Sequence, residues 1–262
     1  MRGPRWLRWS IGAVLGLIIA VFAASRFVDA SAGAPANYQP RDRVLRLAPL
    51  RFYRSATPRA LVWFFGNDVG FWGAQQRLAA QLAAGGYDVV GMDLRAWLAQ
   101  RPTESPAARA TAFRSAMADL QGRAARELGD TLLPVVLAGH SVGAEVALWQ
   151  GAMAPPRALV GIVAISPGER GHLRVTATDL AYGEPTEPGS FAVAQMVRDV
   201  APAVRVAIVR GASDPLRGAD SLLVPARPGL HRVMVPLAGH SMRRLLIAGP
   251  LIAGAIGWTI ER

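Results

Sequence analysis

The 262-residue sequence predicts an α/β fold, a mostly parallel central sheet with helices on both faces. Two patterns carry this expectation. Short apolar runs such as "ALVWFFG" (60–66), "LPVVLAG" (133–139) and "VRVAIVRG" (204–211) lack the alternation of a half-exposed strand, so they predict strands buried on both faces. Between them lie segments with apolar residues at helical spacing, punctuated by glycine.

The elements follow in order. "MRGPRWLRW" carries three arginines and precedes the uncharged "SIGAVLGLIIAVFAA" (10–24), a basic region and an apolar region of the length of an export signal. "VDASA" (28–32) offers small residues for cleavage, so residues 1–30 are expected to be a signal peptide or an N-terminal membrane anchor. Either places the remainder outside the cytoplasm, with the arginines retained inside. Residues 31–41 have linker composition, and the folded domain is expected over 42–262.

"ALVWFFG" predicts the first clear strand and "GFWGAQQRLAAQLAAGG" (70–86) a helix closed by paired glycines. "YDVVGMDL" (87–94) is the next strand. "SPAARATAFRSAMADLQGRAAREL" (105–128) is an amphipathic helix, left open as either lid or sheet cover. "LPVVLAG" leads into a helix from Ala144, and "ALVGIVAIS" (158–166), "VRVAIVRG" and "HRVMVPLAG" (231–239) continue as strands. "HLRVTATDLAYG" (172–183) is either an extra strand or an excursion over the sheet. "MRRLLIAGPLIAGAIGWTI" (242–260) reads as a helix kinked near Pro250 and packed on the sheet.

Composition narrows the chemistry. The chain has no cysteine, which excludes disulfides, thiolate metal sites and cysteine nucleophiles. Its net charge of +11 comes from arginine without lysine. No block of like charges and no aromatic–basic repeat points to nucleic acid. Two uses of the charge stay open, a basic surface facing anionic lipid headgroups and a solvated arginine-rich exterior. No cluster of His, Asp and Glu has metal-ligand spacing, and neither metal nor organic cofactor is expected.

The catalytic candidate is the junction "LAGHSVGAEV" (137–146). A serine nucleophile needs exposure at the sheet edge, which a sharp strand-to-helix turn provides. That turn is crowded, so small residues are needed two before and two after the serine, where Gly139 and Gly143 stand. Ser141 is therefore the expected nucleophile. Of the four histidines, His140 lies in the turn, and His172 and His231 each fall at the start of an expected strand. His240 follows a strand, on the edge where ligands bind in parallel sheets, and is the expected base. Asp214, just past "VAIVRG", is the expected acid orienting that imidazole, with Glu169 in reserve. The oxyanion hole is expected from the backbone N–H groups of Val142 and Asn67; Asp68 beside the latter is an unexpected negative charge.

With those residues in view, the chain resembles the α/β-hydrolase superfamily and, within it, the VirJ/AcvB group of exported bacterial proteins. The resemblance runs from about Ala60 to the final helix. It rests on "WFFGNDVGFW", similar to that group's Gly-Asp-Gly-Gly-Trp loop; on "YDVVGMDLRAWLAQRPTES"; on "LAGHSVGAEV", similar to its Gly-Tyr-Ser-Phe-Gly-Ala-Asp elbow; and on "GHLRVTATDLAYG". The loop here reads Asn67-Asp68-Val69-Gly70, and His140 and Val142 replace aromatic residues. The resemblance implies an exported serine hydrolase beside the inner membrane, cleaving the aminoacyl ester of aminoacyl-phosphatidylglycerol. Two rivals stay open: a serine esterase or thioesterase acting on a soluble substrate, and a catalytically silent hydrolase-fold partner of an envelope complex.

Overall fold

The computed structural model describes residues 14–17, 19–20, 38–100, 104–129, 132–176, 179, 181–242 and 245–261. Apart from the helical residues at 14–17 and 19–20, the expected export segment (1–30) and most of the linker (31–41) lie outside the described residues. No helix among the described residues is long and apolar enough to cross a membrane.

The described domain opens on α1 (Arg43–Leu47), whose first amides donate to the Asp42 side chain. Strand β1 (Leu50–Tyr53) follows, then β2 (Leu61–Phe65), α2 (Ala74–Ala84), β3 (Asp88–Met92), α3 (Leu94–Ala99) and α4 (Pro106–Leu128). Strand β4 (Val135–His140) leads directly into α5 (Val142–Met153) and then β5 (Leu159–Ile165). A short pair, β6 (Arg170–Gly171) and β7 (Phe191–Ala192), closes the base of an excursion before α6 (Val193–Asp199). The remainder is β8 (Arg205–Gly211), a 3-10 turn at Pro215–Ala219, α7 (Asp220–Leu223), β9 (His231–Val235) and α8 (Leu245–Ile260).

Seven strands form one sheet in the order β1-β3-β2-β4-β5-β8-β9. All neighbours are parallel except β1 with β3. The period of two along a strand sorts the core into two layers. Leu61, Trp63 and Phe65 of β2 face one layer with α4, α5 and α6, while Val62 and Phe64 face the other with α2 and α8. Both faces are thus covered, which explains strands without polar alternation.

Helix α4 buries Phe113, Met117, Leu120, Ala124 and Leu128, one stripe at helical spacing. Phe113 packs edge-on against both Trp97 and Trp149. It is a sheet-covering helix, not a lid. Ser105 caps its start by accepting from the Ala108 amide, and Gly129 ends it in the left-handed region at φ 76°. Helix α8 contains Pro250 and sets Ala248, Ile252, Ala255 and Ile256 into the second layer. The described residues of 172–183 (172–176, 179 and 181–183) belong to an excursion over the C-terminal edge of the sheet, and His172 follows β6 within it, whereas His231 begins β9.

Candidate active site

The turn between β4 and α5 is built on steric exclusion. Ser141 holds φ 56° and ψ −125°, a conformation that L-residues rarely adopt and that persists only when its surroundings enforce it. A Cβ on Gly139 would lie 2.0 Å from the Gly143 carbonyl oxygen, and one on Gly143 would lie 2.3 Å from that of Gly66. Each glycine is therefore required by backbone on its far side. The Gly143 contact also seats the loop after β2, which carries Asn67, against the serine turn.

Three strand ends converge here. His240, after β9, has Nε2 2.9 Å from Ser141 Oγ and Nδ1 3.1 Å from Asp214 Oδ1. An ionised carboxylate only accepts, so Nδ1–H donates to Asp214 and Nε2 accepts from the serine hydroxyl. Asp214, after β8, is buried and also accepts from the Leu216 amide at 2.9 Å. Burial alone would raise its pKa, but the His240 hydrogen bond, the charge of that ring and the Leu216 amide hold it far below the usual carboxylate range. Glu169, the reserve acid, is exposed, and its amide donates to Glu184.

His140 has a defined place that its position in the sequence did not reveal. It is buried, its Nε2–H donates to the His240 carbonyl at 2.6 Å, and Gln75 Nε2 donates to its Nδ1 at 3.1 Å. Burial, helped by the charge of His240, pushes it down to about 4, so it is neutral at ordinary pH. It ties the backbone of one strand-end histidine to the strand carrying the serine.

Val142 is the first residue of α5, where an amide has no intrahelical partner, and the helix N-terminus favours negative charge. Asn67 follows Gly66 beside Gly143, and its side chain accepts from the Val69 amide at 3.2 Å. Arg95 donates to the Asp68 carbonyl at 3.2 Å. Burial and the nearby Asp179 raise the Asp68 carboxyl above its ordinary value, against the opposing pull of His240 and Arg95.

The excursion covers the serine. Tyr182, at φ 56°, sets its ring edge-on to His240 with centroids 4.8 Å apart. Beneath it is a narrow cleft lined by Ser141, Val142, Glu145, Arg170, Tyr182 and Leu216 among others. The excursion is tied down by Arg170, which donates to the Pro185 carbonyl and to Ser190. His172 sits between Asp179, at 3.0 Å, and Glu187. Glu145, in the first turn of α5, accepts from the Gly168 amide, and burial raises it well above the usual range. A larger concavity lies at the N-terminal ends of β2 and β3, lined by Tyr53, Arg54 and Arg59, and holds none of these groups. Among the described residues no cluster of three or more His, Asp or Glu could hold a metal ion.

A strained serine, an imidazole hydrogen-bonded to it and a buried carboxylate behind that imidazole form the arrangement used for nucleophilic acyl transfer. The model of the family described as serine aminopeptidase, S33, matches residues 56–242, which include all of these groups. No curated protein sequence matches the chain significantly. Among solved structures, TT1662 from Thermus thermophilus superimposes with a TM-score of 0.56 at 19% identity, covering 81% of this chain and 94% of that one. The esterase domain of a Rhodothermus marinus protein gives 0.53 at 17%, covering 80% and 91%. Est1E from Butyrivibrio proteoclasticus gives 0.57 at 14%, covering 81% and 95%. At these identities the likeness is one of fold.

Proposed function

The chain belongs to the α/β-hydrolase family described as serine aminopeptidase, S33, and from that premise we propose that it is an exported serine hydrolase that cleaves a carboxylic ester through an acyl-enzyme. The observation that carries this reading is the unbroken relay from Ser141 Oγ to His240 at 2.9 Å and from His240 to Asp214 at 3.1 Å. Ser141 attacks the ester carbonyl while its proton passes to His240 Nε2. The amides of Val142 and Asn67 hold the tetrahedral oxyanion. His240 then returns the proton to the departing alkoxide, leaving an acyl-serine. Water, deprotonated by the same imidazole, releases the acid and restores the serine.

For the substrate we propose the aminoacyl ester of an aminoacylated anionic phospholipid such as aminoacyl-phosphatidylglycerol, met at the inner-membrane surface. The likeness of the elbow and loop segments to the VirJ/AcvB group supports this, as does the arginine-flanked apolar N-terminus. The narrow cleft also favours a small acyl group whose bulky leaving portion stays outside. That observation fits a small soluble ester or thioester equally well, which is the second reading.

The test is labelling by a fluorophosphonate probe in the native chain, Ser141→Ala and His240→Ala. Labelling lost in both variants supports the mechanism. A folded native protein that takes no label removes it and leaves the silent envelope partner. Release of free amino acid from vesicles of aminoacylated phosphatidylglycerol, against hydrolysis of p-nitrophenyl acetate, then separates the lipid from the soluble reading.

A further inference from the structure

Behind the triad acid lies a charged side chain with no assigned task. Arg210, the penultimate residue of β8, is 0% exposed. Its Nη1 donates to Asp214 Oδ2 at 3.2 Å, its Nε donates to Asp220 Oδ1 at 3.0 Å, and its Nη2 donates to the Pro167 carbonyl at 2.7 Å. Asp220, at the start of α7, is itself buried, and its second oxygen lies 3.1 Å from Arg232 Nε at the surface.

A guanidinium buried against a catalytic carboxylate raises an electrostatic question. Asp214 aids catalysis by remaining negative when His240 becomes an imidazolium. A full positive charge on its other oxygen would cancel much of that benefit in a poorly screened interior. The second carboxylate resolves the conflict. Arg210 and Asp220 sum to zero, so the buried trio keeps one net negative charge, which Asp214 presents to His240. Arg232 is about half exposed, and solvent screens its charge.

The geometric share is equally specific. With Oδ2 held by Arg210, Oδ1 is left to face His240 Nδ1 and the Leu216 amide. The Pro167 contact ties this arrangement to the end of β5. The other titratable groups coupled to His240 are His140 on β4, Asp68 after β2 and Tyr182 on the excursion. None of these touches Asp214 from behind in the way Arg210 does.

We infer that Arg210 and Asp220 form a charge-balanced brace that positions Asp214 and sets the pH range over which His240 acts as a base. Both are positioning residues, and the inference rests on the hydrolase reading above.

The decisive variant is Asp220→Asn, which keeps shape and removes one negative charge. His240 then gives up its proton more readily, so the acid limb of kcat/KM for p-nitrophenyl acetate moves to lower pH by about half a unit or more. The rate on the plateau falls as the imidazolium loses support. Asp220→Glu restores the native midpoint. Arg210→Lys keeps the charge but loses the fork, so it lowers kcat while leaving the midpoint near its native value. His240 is followed independently by carbon-13 histidine NMR, assigned through its loss in His240→Ala, and its titration moves in the same direction in Asp220→Asn.

A folded Asp220→Asn with native midpoint and rate overturns the brace. If Asp220→Asn does not fold, an Arg210→Lys variant with native kcat overturns it instead. A native chain that takes no fluorophosphonate label fails the hydrolase reading, while the NMR titration still reports on the brace alone.

Discussion

Replacing Gly143 by alanine tests whether the loop after β2 belongs to the catalytic machinery. The added Cβ would stand 2.3 Å from the Gly66 carbonyl oxygen and 2.5 Å from that of Phe65, both backbone atoms unable to swing aside. Ordinary contact begins near 3.4 Å, so the loop must retreat by about 1 Å, carrying Asn67 away from Ser141. Overpacking of this kind costs about 1–3 kcal/mol of stability. A displacement of about 1 Å at a positioning group costs roughly 10²-fold in rate. The expected result is a folded protein with kcat about a hundredfold lower, KM little changed, and slower fluorophosphonate labelling. Gly254→Ala is the control. That exposed helical glycine has nothing within 4 Å of its would-be Cβ, so alanine there stabilises by up to about 1 kcal/mol and leaves kcat alone. A folded Gly143→Ala with native kcat would refute the reasoning, because the Asn67 loop would then be dispensable.

Asp214→Asn is expected to cut kcat by about 10⁴-fold with little loss of fold, since the amide favours the wrong imidazole tautomer; steady-state esterase kinetics check this. His140→Leu leaves the His240 carbonyl and the Gln75 amide unpaired, at a cost of about 1–3 kcal/mol measured by urea denaturation. In the native chain His140 is held at about 4, below its ordinary value of 6.5, so the unfolded chain takes up this proton first. Its contribution, about 3 kcal/mol by linkage, is present above pH 6.5 and lost as pH falls towards 4; His140→Leu should flatten that part of the stability profile. His172 behaves oppositely. Burial lowers it, but hydrogen bonds to Asp179 and Glu187 prevail and raise it, so its hold on the excursion is complete below the unfolded value and is lost as pH rises through the folded one. Hydrogen exchange over residues 181–192, corrected for intrinsic rate, should therefore quicken on the alkaline side, and His172→Gln should remove that dependence.

The elements legible in the sequence are those governed by local rules. Runs such as Leu61–Phe65 and Leu159–Ile165 are apolar because both faces of the sheet are covered, and Gly139 and Gly143 flank Ser141 because backbone leaves no room for a Cβ. β1 escaped notice because "LRFY" is four residues long at the sheet edge, with no room for a pattern. The excursion was legible only as an alternative. Its order comes from contacts across the chain, Arg170 to Ser190 and His172 to Glu187, which leave no periodic trace. Arg210 was hidden for a related reason. Within "VRVAIVRG" it resembles any charge that ends a strand, and only folding sets Asp220 against it.

Helix α5 has no solvent-facing side over its first ten residues, Val142 to Gly151. A helix enclosed on every side cannot fray by itself; it opens only when the domain around it opens. The serine at its head is thus joined to an element enclosed by the core, while Tyr182 above it rides on a segment held by the short β6–β7 pair and side-chain ties. On heating, the two should part company. Access to the serine changes first, as the cover loosens, and the capacity to form an acyl-enzyme survives until the whole fold is lost.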